Sequence, residues 1–505
     1  MKVVSAEQMR AIETSAVANG VSLDWVMQRA GGAVAAAVTE FGAPCLILAG
    51  PGNNGEDGLI AARRLRANGS AVTVYTFGRA DSSDEMPTVR AEDDTGQEVL
   101  ARLVHESAVV VDALLGTGQN RAPEGLLAAM IETVNLARGR ATAIAVDIPT
   151  GVNADTGAVP GEAFAADLTI CMQLPKLGDV LYPGAGYAGA LRVADIKLPI
   201  PEDLAGNVTV PGGSDIAALL PKRGMNSNKG SFGRVVFCGG SRDFLGAPAL
   251  SSLAAYRSGA GLVELAVIEP VQRSVAAHAM EVVYQLLPEE DGSIGHQAAP
   301  AIVNALSKAS ALVFGPGMSL SDNTLRLTRE VLKSLPEQKL RGTVIDADGL
   351  NALSRIPDWW NIRAPIVLTP HPGEMSRLTG LSIDTIQSDR LEVARSHARK
   401  WGVIVVLKGA GTVVATPDGR ASINPTGGPN LATAGTGDVL SGIIGGLLAQ
   451  GCEPFEAAIA GTFLHGRAGD IVRERLGDAG TVASDLLPAI PVARRAILQE
   501  GEPRK

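Results

Sequence analysis

Residues 427–446 read GGPNLATAGTGDVLSGIIGG, an order that suits an anion hole with a base in it. Ala434, Gly435, Thr436 and Gly437 make a glycine-rich turn that runs straight into Asp438. Glycines let backbone N–H groups close on an anion. An apolar segment with helical spacing follows (Val439, Leu440, Ile443, Ile444, Leu447, Leu448), and its positive dipole end points at the same place. A carboxylate in the first helical turn can take the proton of a hydroxyl that attacks a phosphate, which is the equipment of phosphoryl transfer. The plainer alternative is a glycine turn capped by an N-terminal Asp.

Other candidate residues in the second half sit at strand ends. Asn226-Ser227-Asn228-Lys229-Gly230-Ser231-Phe232-Gly233 precedes a strand that Gly239-Gly240-Ser241 ends, and Gly246-Ala247-Pro248 opens the next helix. Gly315-Pro316-Gly317 is a turn that lets a ligand approach the backbone. Asp346-Ala347-Asp348-Gly349-Leu350-Asn351 and Thr369-Pro370-His371-Pro372-Gly373-Glu374 follow two further strands. Prolines on both sides hold His371 extended, so its ring is placed; a ligand-binding role and an ordinary core or surface histidine both fit. Lys408-Gly409-Ala410-Gly411-Thr412 lies between two apolar runs, where Lys408 is either a solvated charge or a group that meets a nucleotide.

Three polar loops end apolar runs in the first half: Gly50-Pro51-Gly52-Asn53-Asn54-Gly55-Glu56-Asp57-Gly58, Asp112-Ala113-Leu114-Leu115-Gly116-Thr117-Gly118 and Asp147-Ile148-Pro149-Thr150-Gly151. Ligands of open parallel sheets bind outside the carboxyl ends of strands, so the three loops can share one site. The first loop satisfies neither the dinucleotide fingerprint nor the P-loop. Asn54, Asp112 and Thr150 offer only oxygen, which suits K⁺, Na⁺ or Mg²⁺ and not zinc. Asp147 suits acid–base work or the binding of a ribose hydroxyl, with a helix cap or Asx-turn as the alternative.

These residues need strand ends to stand on. Apolar runs at 45–49, 71–77, 108–111, 142–147, 168–172 and 190–194 alternate with helical patterns at 24–41, 57–68, 96–104 and 123–138. After a pause at 195–224, strands are expected at 234–238, 262–268, 311–314, 342–346, 365–369, 403–407 and 412–416. Helices are expected near 246–259, 270–279, 297–308, 322–334, 387–401, 436–450 and 453–473. The alternation predicts an α/β protein of two domains, 1–212 and 213–505, each a mostly parallel sheet flanked by helices. The stretch 195–224 carries Pro199, Pro201, Pro211 and Pro221 and reads as a linker with one short helix; 80–95 reads as an acidic surface loop.

Composition narrows the function classes. The chain of 505 residues is 46% hydrophobic and 19% charged, which describes a core-forming protein and not a disordered one. A net charge of −9 without a basic block argues against nucleic acid as a partner. Cys45, Cys171, Cys238 and Cys452 lie far apart in or beside apolar runs and read as buried thiols of a reducing compartment. No signal-peptide pattern and no 18-residue apolar window is found, so a cytoplasmic protein without membrane attachment is expected.

The motifs GPGNNGEDG, VDALLGTG and DIPTGVNADTG resemble, over residues 1 to about 210, the N-terminal domain of the bifunctional NAD(P)H-hydrate repair enzymes. That domain is a Rossmann-like NAD(P)HX epimerase. The resemblance implies K⁺ on Asn54, Asp112 and Thr150, where Thr150 replaces a frequent Ser. It implies hydrated nucleotide on Asn53, Asn54, Gly55, Glu56, Asp57, Gly116, Thr117, Gly118, Gln119, Asn120, Arg121, Ala122 and Asp147, with Asp147 in proton transfer. The ordered set NxxKGxxG, GPG, DADGLN, TPHPGE, KG and AGTGD over 226–442 resembles the ADP-dependent NAD(P)H-hydrate dehydratases of the ribokinase-like superfamily. That implies substrate contacts at Ala247, Gly317, His371 and Asp438, and ADP or AMP on Lys408, Gly409, Ala410, Gly411, Thr412 and Gly437.

Hydration of the nicotinamide ring of NADH or NADPH leaves a 6-hydroxy product with R and S epimers. The resemblance implies that the first domain interconverts them and that the second dehydrates the S form, with ADP as co-substrate, Mg²⁺ on its phosphates, and a homo-oligomeric assembly. Two other readings are an ATP-dependent kinase of a vitamin-like alcohol or sugar, and a binding or scaffolding role for the first domain.

Overall fold

The computed structural model describes residues 1–79 and 86–502. The chain divides into two compact units, Met1–Thr209 and Val210–Lys505.

The sheet of the first unit has the strand order Thr88–Arg90, Val72–Thr76, Cys45–Ala49, Val109–Ala113, Thr142–Val146, Leu168–Met172, Ala190–Ala194, every neighbouring pair parallel. Strand alternation sorts its side chains between two cores. Cys45, Ile47 and Ala49 pack with residues of the helices Ala6–Ala18, Leu23–Phe41 and Asn53–Ala67. Leu46 and Leu48 pack with residues of Glu98–Glu106 and Gly125–Ala137. Both faces are therefore covered, as the continuous apolar runs require.

The sheet of the second unit runs Ala421–Ile423, Val413–Ala415, Ile404–Leu407, Ile366–Leu368, Gly342–Ile345, Ala311–Phe314, Arg234–Cys238, Leu262–Val267, Val283–Leu286. Pairing is parallel except at the meander formed by its first three strands. Helix Thr436–Ala449 begins behind Gly435, whose φ of +88° is the left-handed conformation that glycine adopts without penalty. All four cysteines are buried and free.

Several expectations are corrected. The linker at 195–224 holds a short helix as expected, Gly213–Leu219, but also the unexpected strand Val208–Thr209, paired antiparallel with Lys2–Val3. Within 80–95, Thr88–Arg90 is an edge strand and Ala91–Asp93 a 3₁₀ turn, while 80–85 lies outside the described residues. The helix expected at 57 starts at Asn53, so the first polar loop is already a helix N-terminus. The helix Ala483–Glu500 carries Pro488 and Pro491 in its interior; these mask a stripe of buried Leu486, Ile490, Ala493 and Ile497 that holds it in place.

Among the described residues, no helix is long and apolar enough to cross a membrane.

Candidate functional sites

In the first unit the three polar loops meet at the C-terminal ends of adjacent parallel strands. Their approach is close: a Cβ at Gly50 would lie 1.7 Å from the carbonyl oxygen of Leu114. Gly50→Ala must push the two loops apart, so it is expected to cost the first unit about 1–3 kcal/mol. Unfolding of the first unit would show it as a lowered midpoint.

Asp112 is wholly buried, yet no salt bridge reaches it among the described residues. Its carboxylate accepts from the Thr150 amide at 2.7 Å, the Thr150 hydroxyl at 2.7 Å and the Leu114 amide at 3.1 Å. Burial pushes its pKa up to about 6, against the pull of those hydrogen bonds. Asn54 donates its amide to Leu115 O at 2.9 Å, and Thr150 Oγ1 accepts from the Leu115 amide at 3.0 Å. Asn54, Asp112 and Thr150 are thus drawn together around the backbone of Leu115. A buried carboxylate among neutral oxygens and without a cationic side chain has the donor set of a hard cation.

Gln119 ties its loop to the third one, donating to Pro149 O at 3.2 Å and accepting from the Gly151 amide at 2.8 Å. Glu56 is held by Arg63 at 2.8 Å and Arg79 at 2.9 Å. Asn53, Gly118, Asn120 and Arg121 are exposed, and Gly55 is buried. Gly116, Thr117 and Ala122 are half-buried, and a Cβ at Gly116 would lie 3.4 Å from Asn54 Cβ.

Asp147 has a φ of +68° at the end of its strand. Its Oδ1 accepts from the Met172 amide at 2.9 Å and from the ammonium of Lys176. Lys176 is 0% exposed and also donates to Leu174 O at 3.0 Å. Burial pulls the lysine pKa down, but Asp147 and its neighbours outweigh it and hold it above the usual value.

In the second unit Asp438 lies in the first turn of helix Thr436–Ala449. Burial, then Asp346, pushes its pKa up to about 7, while Lys408 opposes the rise. Lys408 Nζ sits 2.8 Å from Asp346 Oδ1 and 3.6 Å from Glu374 Oε2. A Cβ at Gly437 would lie 3.4 Å from Lys408 Nζ, so the glycine leaves the space between the helix N-terminus and the lysine open. The turn Gly409, Ala410, Gly411 and Thr412 is closed by Thr412 Oγ1 donating to Gly409 O at 2.9 Å, with Gly409 and Ala410 exposed. Beneath it, the buried Arg390 donates to Leu407 O at 3.0 Å and Lys408 O at 3.1 Å.

His371 has a structural role that its sequence context does not reveal, as the cap of the helix Pro372–Thr379. Its Nδ1 accepts from the amides of Gly373 at 3.0 Å and Glu374 at 3.3 Å, and its amide donates to Glu374 Oε2 at 2.8 Å. Burial and then Lys408 push its pKa down, so the neutral ring that can accept at Nδ1 is favoured. The ring is half-exposed, and its Nε2 faces Glu374 Oε1 at 3.5 Å. A Cβ at Gly317 would lie 3.2 Å from Ala247 Cβ and 2.9 Å from Phe244 Cβ, so Gly317 and Ala247 are neighbours across the mouth of the sheet.

A family model described as NAD(P)H-hydrate dehydratase matches residues 235–492, and one described as YjeF-related protein N-terminus matches residues 23–178. The chain is 39% identical to the bifunctional NAD(P)H-hydrate repair enzyme of Thermofilum pendens, over 99% of this chain and 98% of that relative. It belongs to the bifunctional NAD(P)H-hydrate repair family. The repair enzyme of Moorella thermoacetica is 40% identical over 90% of this chain and 88% of its own length. Among solved structures, the ADP/ATP-dependent NAD(P)H-hydrate dehydratase of Bacillus subtilis, co-crystallised with ATP and Mg²⁺, matches with a TM-score of 0.50. It is 30% identical and covers 58% of this chain and 99% of that one. A ribokinase-like superfamily protein of Enterococcus faecalis matches with a TM-score of 0.51 at 27% identity, over 58% of this chain and 97% of that one.

In this member of the repair family, Lys176 is paired with Asp147 and Asp346 with Lys408; the sequence motifs include Asp346 without its partner and do not include Lys176. The signal for Lys176 is a lysine in QLPKLGD directly after an apolar strand, a place where a lone lysine ordinarily reads as solvated. Asp346 stands inside a motif, but its pairing with Lys408 spans 62 residues.

Proposed function

We propose that residues 1–212 epimerise R- and S-NAD(P)HX and that residues 213–505 dehydrate the S epimer back to NAD(P)H, with ADP converted to AMP and phosphate. The observation that carries the reading is Asp438 in a glycine-lined helix N-terminus that also faces Lys408, inside a chain related over its whole length to repair enzymes. The C6 hydroxyl of the S epimer attacks the β-phosphate of ADP, Asp438 accepts its proton, and AMP leaves. The amides of Gly435, Thr436 and Gly437 receive the charge that grows on the transferred phosphate. Phosphate then leaves C6 with the bonding electrons as C5 loses a proton, which restores the dihydronicotinamide. Lys408, Gly409, Ala410, Gly411, Thr412 and Gly437 are assigned to the adenine nucleotide. Ala247, Gly317, His371 and Asp438 are assigned to the hydrated nucleotide. Mg²⁺ would travel on the phosphate oxygens and offset their charge.

In the first unit we assign NAD(P)HX to the loops 53–57 and 116–122 with Asp147, and K⁺ to Asn54, Asp112 and Thr150. The buried, cation-free carboxylate of Asp112 fits that ion. K⁺ bound there would neutralise Asp112 and hold the loops together. The first unit is then expected to melt higher as K⁺ is raised, by an amount equivalent to about 2.7 kcal/mol at a hundred times Kd. Asp112→Asn would remove that dependence.

A kinase of a vitamin-like alcohol or sugar would use the same Asp438 but would leave the first unit's site without a role. The deciding experiment is recovery of dihydronicotinamide absorbance from mixed-epimer NADHX with Mg²⁺, K⁺ and either ADP or ATP. Complete recovery supports both activities. Recovery that stops at the S fraction removes the epimerase, and none with either nucleotide removes the repair reading. Light scattering on the same sample checks the expected homo-oligomer.

A further inference from the structure

The first unit holds more ionisable groups around Asp147 than binding a neutral ring requires. Asp57 stands in the second turn of helix Asn53–Ala67, and its Oδ1 is buried with no hydrogen-bond partner among the described residues. The charges that act on it are all carboxylates: Asp147 at the strand end, Glu13 on helix Ala6–Ala18, and Glu56 on its own helix. Arg63 and Arg79 are committed to Glu56. Asp147 has the opposite surroundings, with the Lys176 ammonium against Oδ1.

Resting on the epimerase reading above, we propose that Asp57 is the catalytic acid and Asp147 the catalytic base of this site, with Lys176 the positioning residue that holds Asp147. Two carboxyl groups in one site with opposed surroundings form an acid–base pair. Burial and the neighbouring carboxylates push the Asp57 pKa up to about 8, so at neutral pH it keeps the proton that an acid needs. Lys176 cannot serve as that acid. It has no exposed surface, and Asp147, Leu174 O and Met172 O already take its donors. Asp179 and Cys171 lie behind it: Asp179 Oδ2 accepts from the Lys176 amide at 2.8 Å and faces Cys171 Sγ at 3.7 Å.

C6 of NAD(P)HX bears a hydroxyl and the ring nitrogen N1, so acid and base act on two atoms bonded to one carbon. Asp147 takes the hydroxyl proton, and Asp57 gives its proton to N1. The N1–C6 bond breaks with its electron pair remaining on N1, and C6 becomes an aldehyde. Rotation about C5–C6 turns the other face of the carbonyl toward N1, which re-adds. Asp57 then recovers its proton from N1, and Asp147 returns its own to the alkoxide. No oxidant, reductant or nucleotide enters.

The test uses the full chain without nucleotide, so that only interconversion runs, with purified R-NADHX followed by chromatographic separation of the epimers. In the wild type, kcat should fall as pH rises past about 8, where Asp57 loses its proton. Asp57→Asn should lower kcat about 100-fold or more, leave KM within a few-fold, and abolish that alkaline limb. Asp57→Glu should keep the limb at a reduced rate. Lys176→Met should lower kcat more than it changes KM. Dehydration of S-NADHX with ADP serves as the control for folding of the rest of the chain. A carboxylic-acid infrared band at neutral pH that disappears in Asp57→Asn supports the protonated state independently of turnover.

If Asp57→Asn raises KM while kcat and the alkaline limb persist, Asp57 merely binds, and the proposal is overturned. The same holds if Asp57→Asn folds poorly and Asp57→Glu lacks the limb. If the wild type does not interconvert the epimers at all, the epimerase reading itself fails.

Discussion

Asp438→Ala is expected to abolish the dehydration of S-NAD(P)HX while interconversion of the epimers continues at the wild-type rate. The first half of that result follows from the other carboxylates that act on Asp438 being engaged elsewhere, Asp348 with the Ser319 amide and Asn351. Asp438 is the carboxylate in the first turn of the helix whose amides would hold the transferred phosphate. Asp346 and Glu374 are engaged with Lys408 instead. Loss of a general base at such a position is worth about 10²–10⁴ in kcat. The second half follows from the division of the chain into two units that each carry their own site. Single-turnover dehydration with ADP and nucleotide-free interconversion measure the two rates separately, and a parallel loss of both in a folded variant would falsify the division. The pH dependence has a definite sign. A base must be deprotonated, and the Asp438 pKa lies at about 7, so dehydration should climb as pH rises through neutrality. Stability runs the other way. The group is raised from its usual 3.8 to about 7 in the folded chain, so its contribution is fully present below 3.8 and is lost as pH rises through 7. Asp438→Asn should therefore be inactive and more stable than wild type at neutral pH, a gain of the kind expected when an activated group is removed.

Which parts of this picture are legible in the sequence depends on whether a residue acts locally. The parallel strands are legible because burial on both faces leaves continuous apolar runs such as CLILA and VVVDA. The edge strands Thr88–Arg90 and Val283–Leu286 are not, because short runs at a sheet margin carry little pattern. The glycine turns are legible as turns. The glycines that follow in SGIIGG serve packing instead. A Cβ at Gly442 would lie 2.1 Å from Ser251 O, so they admit the helix Gly246–Ser258 against this one. Asn54, Asp112 and Thr150 stand on three separate loops, and their residue types carry the oxygen chemistry but not the Leu115 backbone that gathers them. Lys176 and Asp346 are defined by partners 29 and 62 residues away, and nothing in their neighbours announces burial. His371 stands out in the sequence for its prolines, yet one of those, Pro372, is the first residue of the helix it caps.

Lys408→Met is expected to destabilise the second unit by about 3–5 kcal/mol, because it removes the cation from a site that keeps two buried carboxylates. Asp346 is 2% and Glu374 6% exposed at the side chain, and Lys408 is 18% exposed, so solvent screens the cluster little. Burial already pushes Glu374 up and Lys408 pulls it down; without the lysine, that carboxyl should hold its proton to higher pH. The variant should therefore recover stability as pH falls, since a carboxyl with a raised folded pKa stabilises the fold only while it is protonated. Asp346→Asn in the same chain should restore part of the loss, because it removes one of the two buried charges left unpaired. Denaturant unfolding of the two single variants and the double variant measures the coupling. The unfolding of Met1–Thr209 serves as the internal reference, since neither position lies in that unit. If the double variant is no more stable than Lys408→Met, the lysine is not the counter-charge of Asp346. Dehydration should stay lost in the double variant even as stability returns, because Lys408 also stands beside the glycine step at Gly437, where the nucleotide would lie. That separation of stability from activity is what distinguishes a lysine that serves the nucleotide from one that only balances a buried acid.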